Sequence, residues 1–167
     1  MMSDPDGFDV FVATRSPALL RTAWMLTGDA QLAEDLLQTA LTRIWPHWKR
    51  VRDGQPDAYV RKVMVRVQGH WWRRRWTGEL PTAEPPDTAE VDRYALADDR
   101  AALREPLARL PLRQRQVVVL RYYDDLSAGQ VATLLGCSVG TVKSQAAKGL
   151  AKLRVGLQPH SEVEGTR

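Results

Sequence analysis

These 167 residues should fold as an all-α protein of two small helical domains joined by an acidic, proline-containing linker, the second domain a helix-turn-helix. Three observations lead there. Apolar residues recur at helical spacing in both halves, and residues 8–76 show no alternation of strands with helices. Side chains suited to helix N-caps (Asp29, Ser127, Ser138) and glycines suited to helix ends (Gly28, Gly136) punctuate the pattern. Between the halves, Pro81, Pro85 and Pro86 stand among Thr, Ala, Glu and Asp in a stretch that cannot bury a core. The expected bounds are 1–76 for the first domain, 77–98 for the linker, 99–156 for the second domain and 157–167 for a disordered tail.

In the first half, Phe8, Phe11 and Val12 open a short amphipathic segment. Ser16-Pro17 then reads as an N-cap followed by proline at the first helical position, starting a helix that runs to Leu26 and ends at Gly28. Asp29 caps the next helix, where Ala33, Leu36, Leu37, Ala40, Leu41 and Ile44 form an apolar stripe. Opposite lie Gln31, Asp35, Gln38, Thr39 and Thr42, a face that is acidic to neutral. It suits a protein with a basic groove rather than DNA, and is otherwise an ordinary solvated face. Pro46 should end or kink this helix near Trp45.

Arg52-Asp53-Gly54-Gln55-Pro56 is a loop, and the last helix of this half starts near Asp57 with Val60, Val63, Met64, Val67 and Trp71 inward. Its outer side carries Lys62, Arg66 and Arg73 on one stripe, with Arg61, Trp72 and Trp76 flanking it. Gly69 lies within the stripe, where a missing side chain lets a DNA backbone come close. Tryptophans beside arginines are suited to stacking on exposed bases.

The second half is marked most clearly by Leu126 to Ser144. Ser127 with Gln130 three places on is a capping box, Gly136 stands at a helix end, and Ser138 begins another helix after a short turn. In that last helix Val142, Ala146, Gly149, Leu150 and Leu153 share one side. Thr141, Ser144, Gln145, Lys148 and Lys152 share the other, and Lys143 lies off that face. Short polar, amide and cationic side chains of this kind read base edges and phosphates.

The net charge of +4 hides an alternation along the chain. Residues 1–42 are net −4, 43–76 net +8, 77–99 net −6 and 100–154 net +7. Two basic blocks separated by an acidic segment imply two nucleic-acid-binding surfaces. Fully extended, the linker reaches at most about 75 Å, on the order of 22 base pairs of B-DNA.

Other classes find little support. The lone cysteine, Cys137, excludes an intrachain disulfide and fits a reducing cytoplasm. His47, His70 and His160 lack metal-ligand spacing, and neither a nucleophile–base pair nor a glycine-rich phosphate loop is present. An enzyme, a metal and a cofactor are therefore not expected. The acidic start, Met1 to Asp9, is no secretory signal, and no apolar run is long enough to span a membrane.

With these residues laid out, the chain resembles a bacterial sigma factor of the extracytoplasmic-function type, the compact two-domain class of the sigma-70 superfamily. In the first domain the resemblance rests on Gly28-Asp29-Ala30, Ala33 to Gln38, and Ala58-Tyr59-Val60-Arg61-Lys62-Val63. In the second it rests on Leu110-Pro111, Gln114-Arg115, Val119-Leu120-Arg121-Tyr122, Leu126-Ser127, Ala132, Leu135-Gly136-Cys137-Ser138 and Gly140-Thr141-Val142-Lys143-Ser144. The Trp-Trp-Arg-Arg-Arg-Trp run is similar to an actinobacterial, sigma-E-like branch of the family.

The resemblance implies that Gln31, Asp35, Gln38, Thr39 and Thr42 hold the clamp helices of the polymerase β′ subunit. It places Arg52, Asp53, Gln55, Arg61, Lys62, Arg66, Trp72, Arg73 and Trp76 at the minus-ten element, with a flipped base captured by the loop from Arg50 to Asp57. It gives Ser138, Thr141, Lys143, Ser144, Gln145, Lys148 and Lys152 to the minus-35 element. The implied partners are core RNA polymerase, including its β flap, promoter DNA and an anti-sigma factor, with a monomer when free. The family often has asparagine where Arg66 stands, arginine where Gln145 and Lys148 stand, and glutamate where Gln130 stands. A response-regulator output domain shares the turn and recognition helix, but that alternative leaves residues 8–76 without a role.

Overall fold

The computed structural model describes residues 5–76 and 102–157, and every regular element among them is helical. The expected linker at 77–98 and the tail beyond Leu157 lie outside the described residues. In the first half α1 spans Phe8–Thr27, α2 Ala30–Ile44, α3 Trp48–Val51 and α4 Pro56–Trp76. In the second, α5 spans Arg104–Ala108 and α6 Leu112–Val118, which continues as a π-helical turn over Val119–Tyr123. The pair α7 (Ala128–Leu135) and α8 (Val139–Leu157) closes the fold.

One expectation fails at α1. Ser16 is not an N-cap, because a single 20-residue helix runs through Pro17. Proline in a helix interior removes a hydrogen bond and costs about 3 kcal/mol. Packing of the preceding turns outweighs that cost. Phe8 meets the rings of Trp45 and Trp48 at centroid distances of 4.8 and 5.2 Å, and Phe11 meets Trp48 at 5.0 Å. The Trp48 indole donates to the Asp6 carbonyl at 2.9 Å, and Arg15 pairs with Asp57 at 2.9 Å.

The other boundaries follow local chemistry. Gly28 ends α1 in the left-handed region at φ 72°. The Asp29 carboxylate accepts from the Leu32 amide at 3.0 Å and starts α2. Pro46 sits in a 3-10 turn, Trp45–His47, which ends α2 as expected. Buried Leu19, Leu26, Leu36, Ile44, Val60, Met64 and Val67 join α1, α2 and α4. Buried Leu107, Val117, Leu120, Val131, Val142 and Leu153 join the helices of the second half. The two sets of buried side chains form one continuous cluster, with α1 against the π-helical turn and α4 against α7.

Within the second half α8 lies against α6 so closely that Gly149 has no room for a side chain. A Cβ there would lie 2.6 Å from Val118 Cγ2. Replacing a helical glycine with alanine ordinarily stabilises by about 1 kcal/mol. Gly149→Ala is expected to destabilise by about 1–3 kcal/mol instead, the range for overpacking a tight core. Gly140→Ala, at a site with space, should stabilise. Chemical denaturation of both variants checks this, and a gain in stability for Gly149→Ala contradicts the packing described.

Candidate nucleic-acid interface

The helix-turn-helix is built from its caps. The Gln130 amide donates to Ser127 Oγ at 3.0 Å, and the Ser127 amide donates to Gln130 Oε1 at 2.8 Å, a complete capping box. Gly136 turns the chain at φ 67°. Ser138 Oγ accepts from the Thr141 amide at 3.0 Å and lies 2.9 Å from the Thr141 hydroxyl, so both side chains sit at the start of α8. Burial of Val142, Ala146, Gly149 and Leu153 then dictates which residues face out. Lys143, Ser144, Lys148 and Lys152 are exposed and Gln145 is half-buried. None of these lysines meets a carboxylate among the described residues. The expected minus-35 set is therefore displayed together on one helix.

The basic helix of the first half divides in two. Arg66 and Arg73 are exposed, Trp72 is 40% exposed, and Trp71 packs against the core. A Cβ on Gly69 would lie 3.7 Å from the Arg73 guanidinium, so that open spot adjoins a cation. The side chain of Trp76 lies outside the description. Toward the N-terminus of α4 the same helix is covered. Lys62 is half-buried, and Arg61 is only 13% exposed because it pairs with Asp124 of the second half at 3.0 Å. In the loop, Arg52, Asp53 and Gln55 are exposed, with Arg52 held by Asp6 at 3.0 Å and by Asp53 at 3.5 Å.

On α2 the expected protein-binding face is open. Gln31, Asp35, Gln38 and Thr42 are exposed, Thr39 is half-buried, and the Gln31 amide donates to Asp35 at 3.3 Å. Leu32, 42% exposed, stands beside them. Leu32 and Asp35 also form one wall of a cleft of about 350 Å³ whose other wall is Ala108, Leu110 and Leu112.

A polar seam between the halves escaped the reading of the sequence. Arg115 Nε donates to the Met25 carbonyl at 3.0 Å and Arg104 Nε to the Gly28 carbonyl at 2.7 Å. Gln68 donates to the Leu26 carbonyl at 2.6 Å, and Gln116 donates to Gln68 and to the Val65 carbonyl, both at 3.2 Å. The Thr22 hydroxyl donates to Asp124 at 2.7 Å. Burial, with Arg104 nearby, pushes the Arg115 pKa down to about 10. The one available hint was Gln114-Arg115-Gln116, three successive polar residues running straight into Val117-Val118-Val119-Leu120. A helix core so placed must bury some of them.

A capped helix-turn-helix with a cationic outer face, joined to a second helical unit with its own basic helix, defines a DNA-binding transcription protein. Comparison with known proteins agrees. Residues 11–77 match the family model for sigma-70 region 2, and residues 100–153 match sigma-70, region 4. The chain is 43% identical over 152 residues to the RNA polymerase sigma-E factor of Streptomyces avermitilis, covering 90% of this chain and 85% of that relative. It is 33% identical over 146 residues to the ECF RNA polymerase sigma factor SigL of Mycobacterium tuberculosis, covering 84% and 82%. In fold it is similar to the sigma factor RpoE of Bartonella quintana, solved in complex with the anti-sigma factor NepR. That match has a TM-score of 0.67 and 22% identity, over 92% of this chain and 98% of that one.

The chain belongs to the sigma-70 family of RNA polymerase sigma factors, in its extracytoplasmic-function class. Its function is promoter-directed initiation of transcription with RNA polymerase. Sigma factors of this kind are regulatory initiation factors. No helix among the described residues is long and apolar enough to cross a membrane.

Asp124 makes the seam respond to pH. Burial raises its carboxyl above the ordinary range, the bonds from Thr22 and Arg61 oppose the rise, and Asp57 adds to it. A carboxyl raised in the packed form contributes most to packing below its separated-form value, and that contribution is lost as pH rises through the packed-form value. Lowering the pH from about 7 to about 5 should therefore leave the halves together. Small-angle scattering of the full chain checks it, and expansion on acidification contradicts it.

Proposed function

We propose that the two halves divide promoter recognition, residues 1–76 binding polymerase and opening the minus-ten element and residues 99–156 reading the minus-35 element. The observation that carries this is the exposed outer side of α8, where Ser144, Gln145 and Lys148 project near the start of a fully capped recognition helix. Helices so mounted meet base edges in the major groove with their N-terminal residues. Gln145 suits adenine and Lys148 guanine, while Lys143, Lys152, Thr141 and Ser138 suit the phosphates on either side.

In the first half, Arg66 and Arg73 contact the DNA backbone near the minus-ten element, joined by Arg61 and Lys62 when the halves part. Trp72, with Trp76, stacks at the edge of the opened region, and Arg52, Asp53 and Gln55 frame the loop for a flipped base. The face of Gln31, Asp35, Gln38, Thr39 and Thr42 holds the β′ clamp helices, and the second half meets the β flap. The protein works in the cytoplasm, uses no cofactor or metal, and leaves all chemistry to the polymerase. An anti-sigma factor is a further partner, in keeping with the complex in which a protein of the same fold was solved.

Three measurements test the assignment. Asp35→Arg with Gln38→Ala should abolish binding to core polymerase while leaving the fold intact, since exposed substitutions of this kind usually change stability by within about 0.5 kcal/mol. Unchanged core affinity with normal circular dichroism would falsify the clamp assignment. Selection from randomised minus-35 elements should show changed preferences for Gln145→Ala and Lys148→Ala holoenzymes, at about 1–3 kcal/mol per lost base contact. Lys143→Ala should weaken all promoters alike and lower the salt slope by about one. Retention of the parent's sequence preference by both Gln145→Ala and Lys148→Ala removes α8 as the reader.

A further inference from the structure

We propose that the cleft beside the α1–α2 corner is a binding site for a small carboxylate with an apolar body, and that its occupant competes with polymerase at α2. The competition rests on the reading that the polar face of α2 holds polymerase. The cleft measures about 350 Å³, within the range of roughly 300–1,000 Å³ seen for ligand cavities. Leu26, Leu32, Trp71, Trp72, Leu110 and Leu112 supply its apolar walls. Walls of this kind take an apolar body, and a few polar groups then fix its orientation.

Those polar groups select the charge of the ligand. Gln68 is engaged within the protein, donating to the Leu26 carbonyl at 2.6 Å and accepting from Gln116 at 3.2 Å. The Thr27 hydroxyl donates to the Ala23 carbonyl at 2.9 Å. Arg115, which also lines the cleft, is only partly engaged. Its Nε donates to the Met25 carbonyl, while its Nη2 is buried without a partner among the described residues. Nη2 lies against Gly28, where an added Cβ would be 3.0 Å from it, next to the Thr27 of the lining. A buried donor left unmade is costly, and a charged one more so.

No carboxylate offsets this charge. Neither Arg104 nor Arg115 joins an ion pair among the described residues, and the nearby Arg104 adds to the fall of the Arg115 pKa to about 10. At neutral pH Arg115 therefore keeps its proton. The lining holds Arg75 and Arg115 against Asp35, a net charge of +1. Water in the cleft would satisfy Nη2 but leave that charge standing. One carboxylate neutralises it and accepts a charge-assisted hydrogen bond as well. Leu32 and Asp35 belong both to the lining and to the exposed side of α2, so a ligand seated here shares ground with a protein seated there.

The test titrates the full chain with 2-naphthoate and with octanoate by isothermal calorimetry, one body flat and the other flexible. At least one should bind saturably at one-to-one stoichiometry. The matching alcohols, 2-naphthol and 1-octanol, should bind about tenfold more weakly or worse, the scale of one charge-assisted contact. Indole N–H resonances of Trp71 and Trp72, assigned with Trp→Phe variants, should shift while those of Trp45 and Trp48 stay. Ala108→Trp fills the cleft from an exposed position and should abolish binding. Arg115→Gln should weaken it about tenfold, and Ala108→Trp reads the site alone should that chain not fold. Arg113→Gln, an exposed cation outside the lining, should bind as wild type does.

Absence of saturable binding by both carboxylates overturns the proposal, as does equal binding of the alcohols or undiminished binding by Ala108→Trp. Saturating carboxylate should also weaken the binding of wild type to core polymerase and leave that of Ala108→Trp unchanged. Binding in the cleft with unaltered core affinity overturns the competition, and Asp35→Arg with Gln38→Ala then shows which premise failed. Normal core binding by that variant removes the reading of α2, whereas its loss keeps the reading and removes the competition alone.

Discussion

The carbonyl groups at the end of α1 decide how the two halves of this protein meet. The last turn of any helix leaves carbonyls without helical partners, and together they form its negative pole. Here the Met25 and Gly28 carbonyls accept from Arg115 and Arg104 of the second half, and the Leu26 carbonyl accepts from Gln68. The left-handed turn at Gly28 is part of the arrangement, since a Cβ there would lie 3.0 Å from the Arg115 guanidinium. The seam is anchored on groups that α1 must satisfy somehow, and it satisfies the Met25 and Gly28 carbonyls with side chains from the other half.

Such a seam specifies geometry more than it adds stability. Taking a guanidinium out of water is costly, and Arg115 shows the cost in its lowered pKa. Its Nη2 and the Oε1 of Gln114 are buried without partners among the described residues. Asp124 tells the same story from the acidic side, since burial outweighs the help of both Thr22 and Arg61. Each half keeps its own buried apolar side chains, Leu36 and Met64 in one and Leu120 and Val142 in the other. Separation would thus disturb the polar contacts and the apolar margin between them rather than either interior. Under the proposed division of promoter recognition, in which two surfaces read separate elements, an interface of this kind lets the halves part without unfolding either.

The same physics explains why the two basic surfaces look different. The outer side of α8 is set by the caps and the buried stripe of its own half, so its cations are exposed whatever the first half does. The outer side of α4 is set partly by α7 and the residues before it, so its cations divide into a covered group and an open group. Charge along the chain locates both basic surfaces equally well, yet it carries no information on which of them is covered.

Much of the fold was readable from the chain because it depends on neighbours in sequence. Asp29, Ser127 with Gln130, Gly136 and Ser138 act on amides and turns within four residues, and each does in the structure what its chemistry implies. The stripe of α2 and the two sides of α8 follow from helical period alone. Pro17 was misread because its local signal was outvoted by Phe8 and Phe11 packing on Trp45 and Trp48, 37–40 positions away. The pairing of Arg61 with Asp124, 63 residues apart, and of Arg115 with Met25, 90 apart, has no local signature at all. The sequence by itself therefore determined the family and the capped helices with their faces, α2, α7 and α8 above all. Only the tertiary structure decided which charged side chains face solvent and which are spent on the seam, because long-range burial, not local propensity, sets the partners of a buried charge.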